Sequence, residues 1–159
     1  RWSVHTNLLF DRYKDKLDAA NIRVGFRPNK NAIVNVGYTL REPPASLAAR
    51  PVTEQVNTSA YIPINDNWSA FGALRYSLEI GSSVEDMIGV EYDGCCWRVR
   101  LIYISYLDTL RDANVLIPEP ELAQDRALQF QFVLKGLGGF GNRVDNLMQD
   151  MIRGFNAKR

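Results

Sequence analysis

Apolar and polar residues alternate along most of this chain, and the alternation gives way to helical spacing only near its end. A period of two marks extended strands, whose successive side chains point to opposite faces. The pattern predicts about eight strands, near 1–12, 17–27, 32–41, 53–62, 68–78, 86–93, 97–107 and 126–136. At one end the strands are separated by turn chemistry: Pro28-Asn29-Lys30-Asn31, Pro63-Ile64-Asn65-Asp66-Asn67 and Asp93-Gly94. At the other end the connections are mostly longer, at 41–52, 79–85 and 108–125. Short turns alternate with long loops in membrane barrels, and strands of about 9–11 residues suit a tilted crossing of the hydrocarbon.

The two faces of these strands differ sharply. One carries Trp2, Val4, Leu8 and Phe10, then Ile22, Val24 and Phe26, then Val34, Val36 and Tyr38. It continues through Trp68, Leu74, Ile88, Val90, Tyr92, Trp97, Leu101, Tyr103, Leu128, Phe130, Phe132 and Leu134, without a charge. The other carries His5, Asn7, Arg23, Asn35, Gln55, Arg75, Glu91, Arg98, Arg100, Gln129, Gln131 and Lys135. Alternation alone leaves the inward face open. A soluble ligand-binding barrel buries the apolar face, whereas a membrane barrel turns it to lipid. Aromatic placement favours the membrane arrangement. Trp2, Phe26, Trp68, Tyr92 and Trp97 sit at the short-turn ends, and Phe10, Tyr38, Tyr76 and Tyr103 sit toward the long-loop ends. Two girdles are expected where amphipathic rings anchor at both interfaces. The fold class read from this pattern is all-β, an antiparallel transmembrane β-barrel segment with a short C-terminal helix or tail.

Composition narrows the field. The 159 residues are 46% hydrophobic and 23% charged, which argues against disorder and allows one domain. A net charge of +1 lacks the basic excess of a nucleic-acid binder, so none is expected as a partner. No apolar run approaches the roughly 18 residues of a membrane helix. The opening Arg1-Trp2-Ser3-Val4 enters the alternation directly, as in a mature form or a piece of a longer protein. Residues 1–137 are read as barrel and 138–159 as a periplasmic tail. There Val144, Leu147, Met148, Met151 and Ile152 predict a short amphipathic helix at the barrel rim, capped by Asn142 and stopped at Gly154.

Candidate chemistry is sparse. Gly136-x-Gly138-x-x-Gly141 matches a dinucleotide fingerprint, but the second parallel strand and distal acid are missing; a flexible exit from the last strand is expected. His5, the only histidine, has no Ser or acid partner by spacing, so no catalytic residue is assigned. No metal site or cofactor is expected. Cys95-Cys96 stands out. Neighbouring side chains at a turn are expected to point apart, each able to reach a different partner outside the chain. Inert thiols and a strained vicinal disulfide are the alternatives.

The stretch Ile88-Gly89-Val90-Glu91-Tyr92-Asp93-Gly94-Cys95-Cys96-Trp97-Arg98-Val99-Arg100 resembles the paired-cysteine hairpin of the LptD family, the outer-membrane lipopolysaccharide-assembly proteins. Phe130-Gln131-Phe132-Val133-Leu134-Lys135-Gly136-Leu137-Gly138 is similar to that family's closing strand. The resemblance implies a C-terminal barrel segment in the outer membrane of a Gram-negative bacterium. It implies a non-enzymatic translocon that releases lipopolysaccharide into the outer leaflet through a polar lumen and a lateral gate. The implied partners are the LptE lipoprotein plug, an N-terminal jellyroll and the remaining barrel strands. Cys95 and Cys96 then match the pair that forms disulfides with the N-terminal region. Leu128, Gln129, Phe130, Gln131, Phe132 and Leu134 belong to the gate strand. Arg23, Asn35, Arg75, Arg98 and Arg100 become lumen-facing polar groups; the arginines suit phosphates or the plug, and ordinary pairing with lumen carboxylates is the expectation for any one of them. Residues 93–96 are expected in the periplasm, with 43–51 and 108–125 at the cell surface. A stand-alone eight-stranded barrel, possibly lipid-modifying, and a soluble barrel are the competing readings.

Overall fold

A computed structural model of the chain describes residues 1–12, 15–43, 52–107, 124–135, 138–139 and 142–155. The alternating runs form β1 (Trp2–Asp11), β2 (Lys16–Phe26), β3 (Ile33–Arg41), β4 (Thr53–Pro63), β5 (Trp68–Ser77), β6 (Ser82–Asp93), β7 (Trp97–Leu107) and β8 (Gln124–Leu134). A two-residue β9 (Gly138–Gly139) and helix α1 (Asn142–Met151) follow. Each strand pairs antiparallel with the next in one sheet, in sequence order. Sequential hairpins need only local turns, and the asparagines supply two of them. Asn29 Oδ1 accepts from the backbone N–H groups of Asn31 and Ala32, and Asn65 Oδ1 from those of Asn67 and Trp68.

The register puts the apolar residues on one face. Trp2, Phe26, Val34, Ala60, Gly72, Ile88, Tyr103 and Leu128 form one cross-strand row. That face is the uncovered one: Ile88 is 65% exposed, Leu128 69% and Phe130 66%. A soluble barrel would bury this face. Free in water, so large a contiguous apolar surface is unfavourable; against acyl chains it is at home. The aromatic girdle of the short-turn end is continuous in space. Trp68 meets Tyr92 edge-on at 5.1 Å, Tyr92 meets Trp97 at 4.7 Å, and Trp97 reaches Phe132 at 6.3 Å.

The core lies on the opposite face. Phe71, Met87, Ile102 and Ile104 on β5–β7 pack against Val144, Met148 and Ile152 of the helical segment. The helix therefore covers the sheet's inner face rather than lining the rim. The reason is that β5–β7 place large apolar groups on the otherwise polar face, and the apolar stripe of α1 matches them. Gly89 makes the fit possible. A Cβ there would stand 2.5 Å from a ring carbon of Phe71, its cross-strand partner, and 2.7 Å from the Leu101 carbonyl oxygen. The chain leaves the helix through Gly154 at φ +85°, a conformation that side chains with a Cβ rarely adopt.

Two further expectations change. The long connection at 79–85 is a tight turn, because β6 begins at Ser82 and β5 runs to Ser77. The backbone N–H of Gly81 closes it on the Ser77 carbonyl at 3.0 Å. Beyond β8 the glycines do not simply lead away: Gly138 and Gly139 return to pair with Leu134 and Val133. The loops expected at 44–51 and 108–123 lie outside the described residues, as do Gly136 and Gly141.

Candidate functional site

The polar residues of the inner face gather at the short-turn end of β6–β8. Register places Glu91 opposite Arg100, Arg100 opposite Gln131, and Asp93 opposite Arg98. Arg100 is 1% exposed. Its Nε pairs with Glu91, and its Nη1 donates to Gln131 Oε1 at 2.8 Å and to Asp145 of α1. The Phe155 ring lies 5.4 Å from the guanidinium carbon, a cation–π contact. The Tyr61 hydroxyl donates to the other Glu91 oxygen at 2.7 Å. Arg98 bonds Asp93 at 2.8 Å and lies 3.9 Å from Glu91, while Lys135 reaches Asp93 at 2.5 Å and the Gly94 carbonyl at 2.6 Å. A buried guanidinium is costly unless paired, and Arg100 engages three elements through Nε and Nη1, while its buried Nη2 has no hydrogen-bond partner among the described residues.

Arg23, Asn35 and Arg75 gather elsewhere, around a cavity of about 350 Å³ that Gln149, Asp150 and Arg153 also line. Arg23 donates to Asn21 at 3.2 Å. Asn35 donates to Ser59 Oγ at 3.3 Å and to the Arg153 carbonyl at 3.1 Å, tying the end of the helical segment to β3. Arg75 pairs with Glu85 at 2.9 Å. A second cavity, about 440 Å³, opens beside the buried cluster between Arg27, Lys30, Glu91, Asp93 and Phe155. Sequence reasoning missed Asp145, Tyr61 and Phe155. No local signal marked Asp145, because its pairing with Arg100 depends on where the helix docks.

On β8 the period of two holds. Leu128, Phe130, Phe132 and Leu134 are exposed on the apolar face, Gln131 is buried inward and Gln129 is half-buried. One edge of β8 pairs with β7 along its length; the other pairs with β9 at Val133 and Leu134. Among the described residues nothing pairs the rest of that edge, nor the outer edge of β1. His5 lies on exposed β1, opposite Arg23.

Cys95 and Cys96 occupy the exposed β6–β7 turn as free thiols. Their side chains do not point apart: the two sulfurs sit 2.9 Å from each other, within hydrogen-bonding distance. The Cys95 sulfur, hydrogen-bonded and negative when ionised, pushes the Cys96 thiol above its ordinary value. The turn is fixed by backbone bonds from Gly94 to the Trp97 carbonyl and from Lys135 to the Cys96 carbonyl, both 2.9 Å.

An apolar sheet face rimmed by aromatics, backed by a charged inner face, defines an antiparallel β-barrel segment of the outer-membrane type. The sequence comparisons specify which. The family described as LptD, LPS transport system D, matches residues 1–68. An LPS-assembly protein LptD of Nitrosococcus oceani is 32% identical over 157 residues, covering 97% of this chain and 18% of that protein. LPS-assembly proteins LptD of Acinetobacter baumannii and Xanthomonas campestris are 33% and 31% identical, over 80% and 98% of this chain. The chain belongs to the LptD family. It spans less than a fifth of the length of these relatives, 15–18%.

Proposed function

We propose that this chain is the C-terminal barrel segment of an outer-membrane translocon that inserts lipopolysaccharide into the outer leaflet. The observation that carries the reading is the division of the sheet between an exposed apolar face and a polar inner face. Lipopolysaccharide has acyl chains that must enter lipid and a charged, sugar-rich part that must cross a polar space. The inner face serves the second, and a seam beside β8 serves the first. Unpaired backbone groups in hydrocarbon cost several kcal/mol each, so that edge persists only if closed or transiently opened. The closing partner is the first strand of the whole barrel. The transport requires no covalent chemistry, cofactor or metal. The polar lumen takes a lipoprotein plug, LptE. The short-turn end, with residues 93–96, faces the periplasm; the tail from 138 starts there and folds back over the inner face, and Cys95 and Cys96 each bond a cysteine of the N-terminal region.

The test is a locked seam in the full-length protein. Gln129→Cys, oxidised to a facing cysteine on the first strand, blocks surface delivery of lipopolysaccharide, and reductant restores it. Normal delivery with the seam fully locked contradicts the reading.

A further inference from the structure

We infer that Arg100 is a positioning residue that couples helix α1 to the edge strand β8, so that helix and strand are held or released together. The side chain joins three elements: Glu91 of β6, Gln131 of β8 and Asp145 of α1. One nitrogen, Nη1, serves both Gln131 and Asp145, so the helix and the edge strand share a single donor. The charges require the helix. Arg98, Arg100 and Lys135 stand against Glu91, Asp93 and Asp145 in one ion-paired cluster, to which the helix contributes Asp145. With α1 docked the three cations and three anions balance; without Asp145 the cluster carries one net positive charge.

The position of this link along β8 matters. The ladder to β9 secures only Val133 and Leu134, and Gln131 is the inward residue just before that pair. Gln131 is 3% exposed, so its amide is held in place rather than left in solvent. Arg100 thus extends the anchored part of β8 two residues beyond its ladder, using a helix bond instead of a strand bond. Farther along, the inward positions Ala127 and Asp125 pair with Ile104 and Tyr106, so the strand there relies on β7. The consequence for transport rests on the seam reading above; the coupling itself does not.

Hydrogen exchange of the full-length protein in detergent tests it. Asp145→Asn removes the carboxylate that pairs with Arg100 without changing side-chain shape. Exchange in 142–152 and in 124–132 is expected to rise together, by about tenfold, the scale of one charge-assisted hydrogen bond. Asp145→Glu restores protection to both. In a Gln131→Ala background, Asp145→Asn still loosens 142–152 but no longer adds to exchange in 124–132. A helix that loosens without the strand overturns the coupling. So does a strand that responds equally in the Gln131→Ala background, because general destabilisation moves both. If the Gln129 lock leaves export normal while the coupled exchange is seen, the seam reading fails and the coupling stands.

Discussion

Strands β1 and β7 have the same alternation and similar lengths, yet they live in different surroundings. Every residue of β1 from Trp2 to Phe10 is exposed, on both faces. In β7 the inward residues Arg98, Arg100, Ile102 and Ile104 are buried, while Leu101 and Tyr103 remain exposed. The difference is α1. Where the helix packs, the inner face has a core and a balanced charge cluster; β1, away from it, pairs with β2 along its length. A period of two therefore specifies a strand and its faces but not what covers them. In this sheet the outer face is apolar throughout, and among the described residues the apolar packing of the inner face lies over β4–β7.

The largest effect expected from this contrast is on stability. Ile102→Ala or Met148→Ala opens a cavity between sheet and helix and costs about 2–5 kcal/mol. Leu9→Ala, an exposed aliphatic on β1, stays within about 0.5 kcal/mol. Urea unfolding of the full-length protein in lipid vesicles measures both. Equal losses at Ile102 and Leu9 would break the comparison.

A smaller effect is kinetic. The Cys96 thiol is raised, so less of it is thiolate at neutral pH, and the thiolate is the nucleophile. In reduced protein Cys96 is alkylated more slowly than an ordinary exposed thiol. Cys95→Ala removes the neighbouring sulfur and moves the rate profile to lower pH. An unchanged profile means the 2.9 Å sulfur contact does not govern the turn's chemistry.

Much of this was legible in the alternation. The outer face was read residue by residue, from Trp2 and Val4 to Phe130 and Leu134, because a strand's two faces follow from parity alone. The apolar spacing from Val144 to Ile152 likewise fixed a helix, which runs Asn142–Met151. What it packs against was not read, although the signal was present: Phe71, Met87, Ile102 and Ile104 interrupt the polar face with apolar side chains of the same parity. Treating that face as uniformly polar hid their meaning. Arg100, Glu91 and Gln131 were recognised as inward polar groups, but their convergence depends on cross-strand register, and Asp145 on where the helix docks. Neither is written in local spacing. The sulfur contact of Cys95 and Cys96 was missed for a similar reason, since side-chain direction in a turn depends on backbone angles the sequence does not display.

The central claim is that the apolar face of this sheet meets lipid. A nitroxide label at Leu101, in the full-length protein reconstituted into bilayers, tests it most directly. Leu101 is outward and 43% exposed, near the middle of β7. The account predicts frequent collision with oxygen, which concentrates in lipid, and little with a water-soluble nickel reagent. Strong relaxation by the nickel reagent at Leu101 would place that face in water and contradict it.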